Sequence, residues 1–139
     1  MKTLVIYYSY TGVTYKAARR LADELKADLV EVQTQRRPNA IGAYVSGSFA
    51  AMRQKGALVL PLPNMTGYDK IIIMGPIWAG YPAPAVNNII AALPAGKQVE
   101  LRMVSSSGQS RARDVVIERV EKTGCTVTGH MDIKASTVE

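Results

Sequence analysis

The chain has 139 residues, 47% hydrophobic and 20% charged, and its 17 Lys/Arg against 11 Asp/Glu leave a net charge of +6. That length and composition suit one domain over 1–139 with its own core and are unlike those of a disordered protein. The single cysteine, Cys125, excludes an internal disulfide and a multi-cysteine metal site, while the basic charge brings forward nucleic acid, a membrane surface or an anionic ligand.

Residues 4–8, Leu-Val-Ile-Tyr-Tyr, form a continuous β-prone run that reads as a strand buried on both faces. At five residues it is too short for a signal-peptide core of about 7–15, so no targeting segment is expected at this end. Residues 14–26 place Ala17, Ala18, Leu21, Ala22 and Leu25 at helical spacing, with Lys16, Arg19, Arg20, Asp23 and Glu24 on the other side. A second strand is expected over 28–34. A helix is expected over 39–54, weakened by Gly42 and Gly47. Residues 56–68 read mostly as loop.

Residues 70–74 form a third strand around Ile71, Ile72, Ile73 and Met74. The apolar stretch 71–80 is broken by Gly75 and Pro76, and a membrane span needs about 20 apolar residues, so no span is expected. Pro84 opens a helix running to about Leu93, at an early position where its missing N–H costs nothing. A fourth strand follows over 99–105, a helix over 110–122, and a fifth strand over 125–133. The fourth puts Glu100 and Arg102 opposite Val99, Leu101 and Met103. Strict alternation along the fifth puts Thr126, Thr128, His130 and Asp132 opposite Cys125, Val127, Met131 and Ile133.

The order βαβαβαβαβ implies an α/β fold, a doubly wound five-stranded parallel sheet with helices on both faces and right-handed crossovers. At this size the strand order 2-1-3-4-5 is favoured, which places a ligand crevice at the C-terminal ends of strands 1 and 3. Three loops there carry polar or aromatic residues. Ser9-Tyr10-Thr11-Gly12-Val13-Thr14 leads from strand 1 into a helix, and its hydroxyls, converging amides and helix dipole suit an anion. The same residues also serve as ordinary helix capping. They lack the Gly-Lys-Ser/Thr ending of a Walker loop and the three glycines of a dinucleotide fingerprint. Gly75-Pro76-Ile77-Trp78-Ala79-Gly80-Tyr81-Pro82 holds the only Trp, either stacked on a flat ligand or folded back onto the core. Ser105-Ser106-Ser107-Gly108-Gln109-Ser110 offers a polar edge, or plain turn chemistry. Together the three suit a phosphorylated flat heterocycle.

With these residues in place the chain resembles the flavodoxin family from its N-terminus to about Ile133. The first loop is similar to the family's S-x-T-G-x-T phosphate loop, and residues 68–80 resemble its third strand and flavin-stacking segment. The resemblance implies FMN as cofactor. Its contacts are then Ser9, Tyr10, Thr11, Gly12, Val13 and Thr14 around the phosphate, and Pro76, Ile77, Trp78, Ala79 and Gly80 beside the ring. Ser105, Ser106, Ser107 and Gly108 fall at the pyrimidine edge. Trp78 would stack on the isoalloxazine, with Tyr10 and Tyr81 as neighbours, and the peptide between Ala79 and Gly80 would lie near flavin N5.

Three departures shape the functional expectation. The chain is basic where flavodoxin carriers are usually acidic. Its third loop has no aromatic, so one flavin face is expected to be open to a flat acceptor such as a quinone. It also ends too soon for the family's last helix, which leaves part of one sheet face, on strands 4 and 5, solvated or packed on a second copy in a homodimer. The expected activity is an FMN-dependent oxidoreductase taking electrons from a small-molecule or protein donor. A non-enzymatic electron carrier is the alternative. No catalytic acid or base stands out, and no aromatic-basic interleaving supports nucleic acid. The expected compartment is a reducing cytoplasm. His130 reads as a solvent-facing strand residue and Cys125 as core. Arg36, Arg37, Arg53 and Lys55 read as solvated helix ends, and Arg111 and Arg113 lie near enough to the third loop to steer an anion.

Overall fold

The computed structural model describes residues 1–34 and 59–138. The elements are β1 (Thr3–Tyr7), α1 (Val13–Leu25), β2 (Asp28–Glu31), β3 (Lys70–Trp78), β4 (Tyr81–Pro82), α2 (Pro84–Ala91), β5 (Gln98–Ser105), α3 (Arg113–Glu121) and β6 (Thr126–Lys134), then a 3-10 turn (Ala135–Thr137). The helix expected over 39–54, and with it Arg36, Arg37, Arg53 and Lys55, lies outside the described residues.

Five strands pair in parallel in the order β2-β1-β3-β5-β6, and the short β4 folds back antiparallel on β3. Counting that extra strand, the order reads 2-1-3-5-6 rather than 2-1-3-4-5. The doubly wound topology is the expected one. The addition arises because β3 does not stop at Met74. It continues through Gly75 and Pro76 to Trp78 and turns at once into β4.

The two continuous apolar strands are buried on both faces, as such strands must be at the centre of a parallel sheet. Leu4, Ile6, Ile71 and Ile73 point to the face covered by Val86, Ile89 and Ile90 of α2 and by Val116 and Val120 of α3. Val5, Tyr7, Ile72 and Met74 point to the other face, against Ala18, Leu21 and Ala22 of α1. Each such aliphatic side chain contributes about 1.5–3 kcal/mol on burial. Pro84 is the first residue of α2. Cys125 is buried and its Sγ–H donates to the Pro94 carbonyl at 3.1 Å.

On β5 the expected alternation holds. Val99, Leu101 and Met103 join the α2/α3 core, and Glu100 and Arg102 face the other way. There Glu100 pairs with Lys70 at 3.4 Å and with Arg102, and all three side chains are partly buried. Burial pushes the Glu100 carboxyl up, but Arg102 and Lys70 outweigh it and hold the group below its ordinary value.

On β6 strict alternation fails. Val127 pairs with Val99, but Gly129 pairs with Glu100, so Thr128 is the extra residue of a β-bulge. Every later side chain changes face. Val127 packs in the α2/α3 core, whereas Ile133, also odd-numbered, packs in the α1 core. His130, in register with Leu101, and Asp132, in register with Met103, therefore turn toward α3. His130 is not a solvent-facing residue as expected: its Nδ1 is buried and has no hydrogen-bond partner among the described residues. Burial pushes its pKa down, Asp132 pulls it up and Arg113 pushes it down, for a net lowering. The face shared with Glu100 and Arg102 instead takes Gly129, Met131 and Ile133; Ile133 packs toward α1, and Met131 is 47% exposed.

Candidate functional site

Strand order places the C-terminal ends of β1, β3 and β5 side by side, where the winding reverses. A cleft of about 220 Å³ opens there, and each of the three loops contributes to its walls.

The first wall comes from the loop after β1. Ser9 Oγ accepts the Gly12 N–H at 3.1 Å and the Tyr15 N–H at 3.2 Å, which ties the loop to the start of α1. Gly12 sits at φ +96, a left-handed conformation that glycine adopts without strain, and it lets the chain enter the helix within one residue. Tyr10, Thr11, Val13 and Thr14 line the cleft, and Thr14 is only 3% exposed. A hydroxyl-rich loop at the N-terminus of a 13-residue helix, with no acidic residue in its first turn, has the polarity an anion needs.

The second wall is the β3–β4 hairpin. Pro76, Ile77 and Trp78 line the cleft. The hairpin turns through Ala79 at φ +55 and Gly80 at φ +86, the pattern of a two-residue type I′ turn. The segment expected as an aromatic-bearing loop is therefore strand, tight turn and strand, which fixes the Trp78 backbone against Tyr81. The Trp78 ring is held edge-on by two tyrosines, Tyr8 with centroids 6.3 Å away and Tyr10 at 6.0 Å. Such T-shaped pairs add roughly 0.5–1.5 kcal/mol beyond their burial. The ring thus packs on the core and also lines the cleft.

The third wall is the loop after β5. Ser105 and Ser106 line the cleft. Ser105 Oγ accepts the N–H of Gly108 at 2.9 Å and of Gln109 at 3.2 Å, which closes the loop on itself. Its tip connects to the hairpin: the N–H groups of Arg111 and Ala112 donate to the Gly80 carbonyl at 3.0 and 3.3 Å. Among the described residues no group of His, Cys, Asp and Glu is placed to hold a metal ion.

Of the expected contact residues, Tyr10, Thr11, Val13, Thr14, Pro76, Ile77, Trp78, Ser105 and Ser106 come together around the cleft. Ser9, Gly12, Ala79, Gly80, Ser107 and Gly108 shape the same three loops without lining it. Val104 and Ala135 also line it. Val104 is masked in the sequence as one apolar strand residue among several. Ala135 arrives through the turn after β6, which no local signal marks. None of the lining residues is acidic. A carboxylate-free cleft with hydroxyls at a helix start and an aromatic wall fits a phosphorylated flat ring such as FMN.

Fold and cleft together define a doubly wound α/β protein of flavodoxin-like type. The chain belongs to the flavodoxin family, whose model matches residues 2–127. Solved structures agree. A flavoprotein of Bacteroides uniformis is 25% identical with a TM-score of 0.77, covering 99% of this chain and 94% of its own. A flavoprotein of Lactobacillus acidophilus, solved in complex with FMN, is 25% identical with a TM-score of 0.72, covering 93% and 91%. The two-electron reduced flavodoxin of Megasphaera elsdenii, 20% identical with a TM-score of 0.60 over 96% and 86%, shares the fold. No curated protein matches the chain.

Proposed function

We propose that this chain is an FMN-binding oxidoreductase that passes electrons from a reduced donor to a flat acceptor such as a quinone. Family membership and a similar flavoprotein in complex with FMN support the cofactor. The bound flavin supplies the redox chemistry. The chain's own residues bind and orient it. The amides and hydroxyls around Thr11, Gly12 and Thr14 receive the phosphate, Trp78 takes one face of the ring, and the loop from Ser105 to Gly108 meets its polar edge.

The observation that carries the enzyme reading is the asymmetry of the walls. Trp78, braced by Tyr8 and Tyr10, stands on the hairpin side, while the third loop offers only Ser105 and Ser106 to the cleft. One face of a flat ring is then left for a second flat molecule to stack on. The test is anaerobic mixing of the FMN-loaded protein with NAD(P)H and a quinone. Turnover without any partner reductase supports the enzyme. FMN binding without turnover makes the chain a non-enzymatic carrier.

Two further readings accompany this one. The exposed part of the β5–β6 face around Met131 is an interface for a second copy, supported by Met131 standing exposed beside the Lys70–Glu100–Arg102 ion pairs. Light scattering that gives a monomer at micromolar concentration removes it. The compartment is the cytoplasm, and no helix among the described residues is long and apolar enough to cross a membrane.

A further inference from the structure

Two cations lie against the loops that form the cleft walls, in no ion pair among the described residues. The stem of Arg111 lies on the hairpin tip: a Cβ built on Gly80 would be 2.8 Å from both its Cγ and its Cδ. Lys134 is in register with Ser105 across β5 and β6. Its own Cβ would be 3.2 Å from a Cβ built on Gly108, and the next residue, Ala135, lines the cleft. Both side chains are exposed. The described ion pairs engage Lys70, Arg102 and Lys122, and neither Arg111 nor Lys134. The nearby carboxylates do not cancel them at the cleft. Asp132 accepts the Ser110 hydroxyl, Asp114 belongs to the first turn of α3, and neither lines the cleft.

We propose that Arg111 and Lys134 stabilise the reduced, anionic form of the flavin ring over its neutral oxidised form. This rests on the FMN reading above. Two electrons from a reduced donor and one proton from solvent turn the neutral ring into a monoanion. The phosphate charge is the same in both states, so only charges near the ring discriminate between them. A positive charge favours the anionic form of a neighbouring group, and here one stands over the hairpin and one beside the third loop. Their effect on the redox equilibrium is the difference in flavin affinity between the two states.

The test is dye-equilibrated redox titration of the FMN-loaded protein at low and high salt. The variants are Arg111→Met, which keeps a long stem on Gly80 without the charge, Lys134→Gln, and both together. Screened by a partly aqueous medium, each lost charge shifts the reduced/oxidised ratio about threefold toward oxidised flavin. The double variant shifts it about tenfold, or about 30 mV for a two-electron couple. Arg111→Lys and Lys134→Arg stay at the wild-type potential, and 1 M salt shrinks every difference. Variants that bind FMN and titrate at the wild-type potential overturn this proposal alone. A wild-type chain that does not bind FMN overturns the cofactor reading, and this proposal with it.

Discussion

Arg111 and Gly80 touch across the mouth of the cleft: the arginine stem lies on the glycine Cα, and the arginine amide donates to the glycine carbonyl at 3.0 Å. The contact joins the hairpin after β3 to the loop after β5, so two walls of the site hold each other in place. Gly80→Ala would set a methyl against Arg111 and force a Cβ into a left-handed conformation at φ +86. The expected cost is about 1–2 kcal/mol of stability, read by urea unfolding of the cofactor-free protein, with weakened FMN binding.

The neighbouring residue makes the opposite prediction. Ala79 occupies the first central position of the type I′ turn at φ +55, where Asn is preferred. Ala79→Asn creates an Asn-Gly turn and is expected to raise stability by about 0.5–1 kcal/mol in the same assay. An unchanged or lowered midpoint would show that the turn is not strained.

Ser9 acts through two backbone hydrogen bonds, to Gly12 and Tyr15, rather than by lining the cleft. Ser9→Ala releases the loop whose amides are proposed to receive the phosphate. FMN affinity should fall about tenfold, while affinity for riboflavin, which has no phosphate, should hardly change. Equal losses for both ligands would remove the phosphate assignment.

Trp78→Ala removes the aromatic wall and both edge-on contacts. FMN binding should weaken by about 10–100-fold, measured by the quenching of flavin fluorescence on titration. Full retention of affinity would place the ring elsewhere.

Two titratable groups give the fold a defined response to acid. The folded protein holds the His130 imidazole below its ordinary 6.5, because burial opposes its charge. The unfolded chain therefore binds the proton first. Stability is full above pH 6.5 and declines as pH falls toward the lower folded value. His130→Gln should flatten that slope below pH 6.5. Glu100 works at lower pH. Its folded pKa is depressed, so its contribution is present above the unfolded value of about 4.3 and is lost as pH falls through the folded one. Glu100→Gln should lower stability at pH 7 by no more than about 1 kcal/mol, and the difference from wild type should shrink as pH falls below the unfolded value.

The sequence by itself determined the strands at the centre of the sheet and the loops that matter. Ile71, Ile72, Ile73 and Met74 are apolar without interruption because both faces of β3 are covered, and such a run reads directly as a buried parallel strand. Ser9, Thr11, Gly12 and Thr14 stand out locally as hydroxyls and a glycine before a helix, a pattern that ordinary capping also produces.

Only the tertiary structure decided three further things. The bulge at Thr128 depends on how β6 pairs with β5, and it turned His130 and Asp132 toward α3 although their alternation reads as continuous in the sequence. The β3–β4 hairpin holds two residues at positive φ, one of them an alanine that gives no warning of it. Arg111 and Lys134 meet the wall loops, and Ala135 lines the cleft, from 33 to 57 positions beyond Trp78 in the chain, through pairing and turn geometry that no local window records. Periodicity reports which side of its own element a residue occupies. What that side meets depends on register, and register is set by the partner strand.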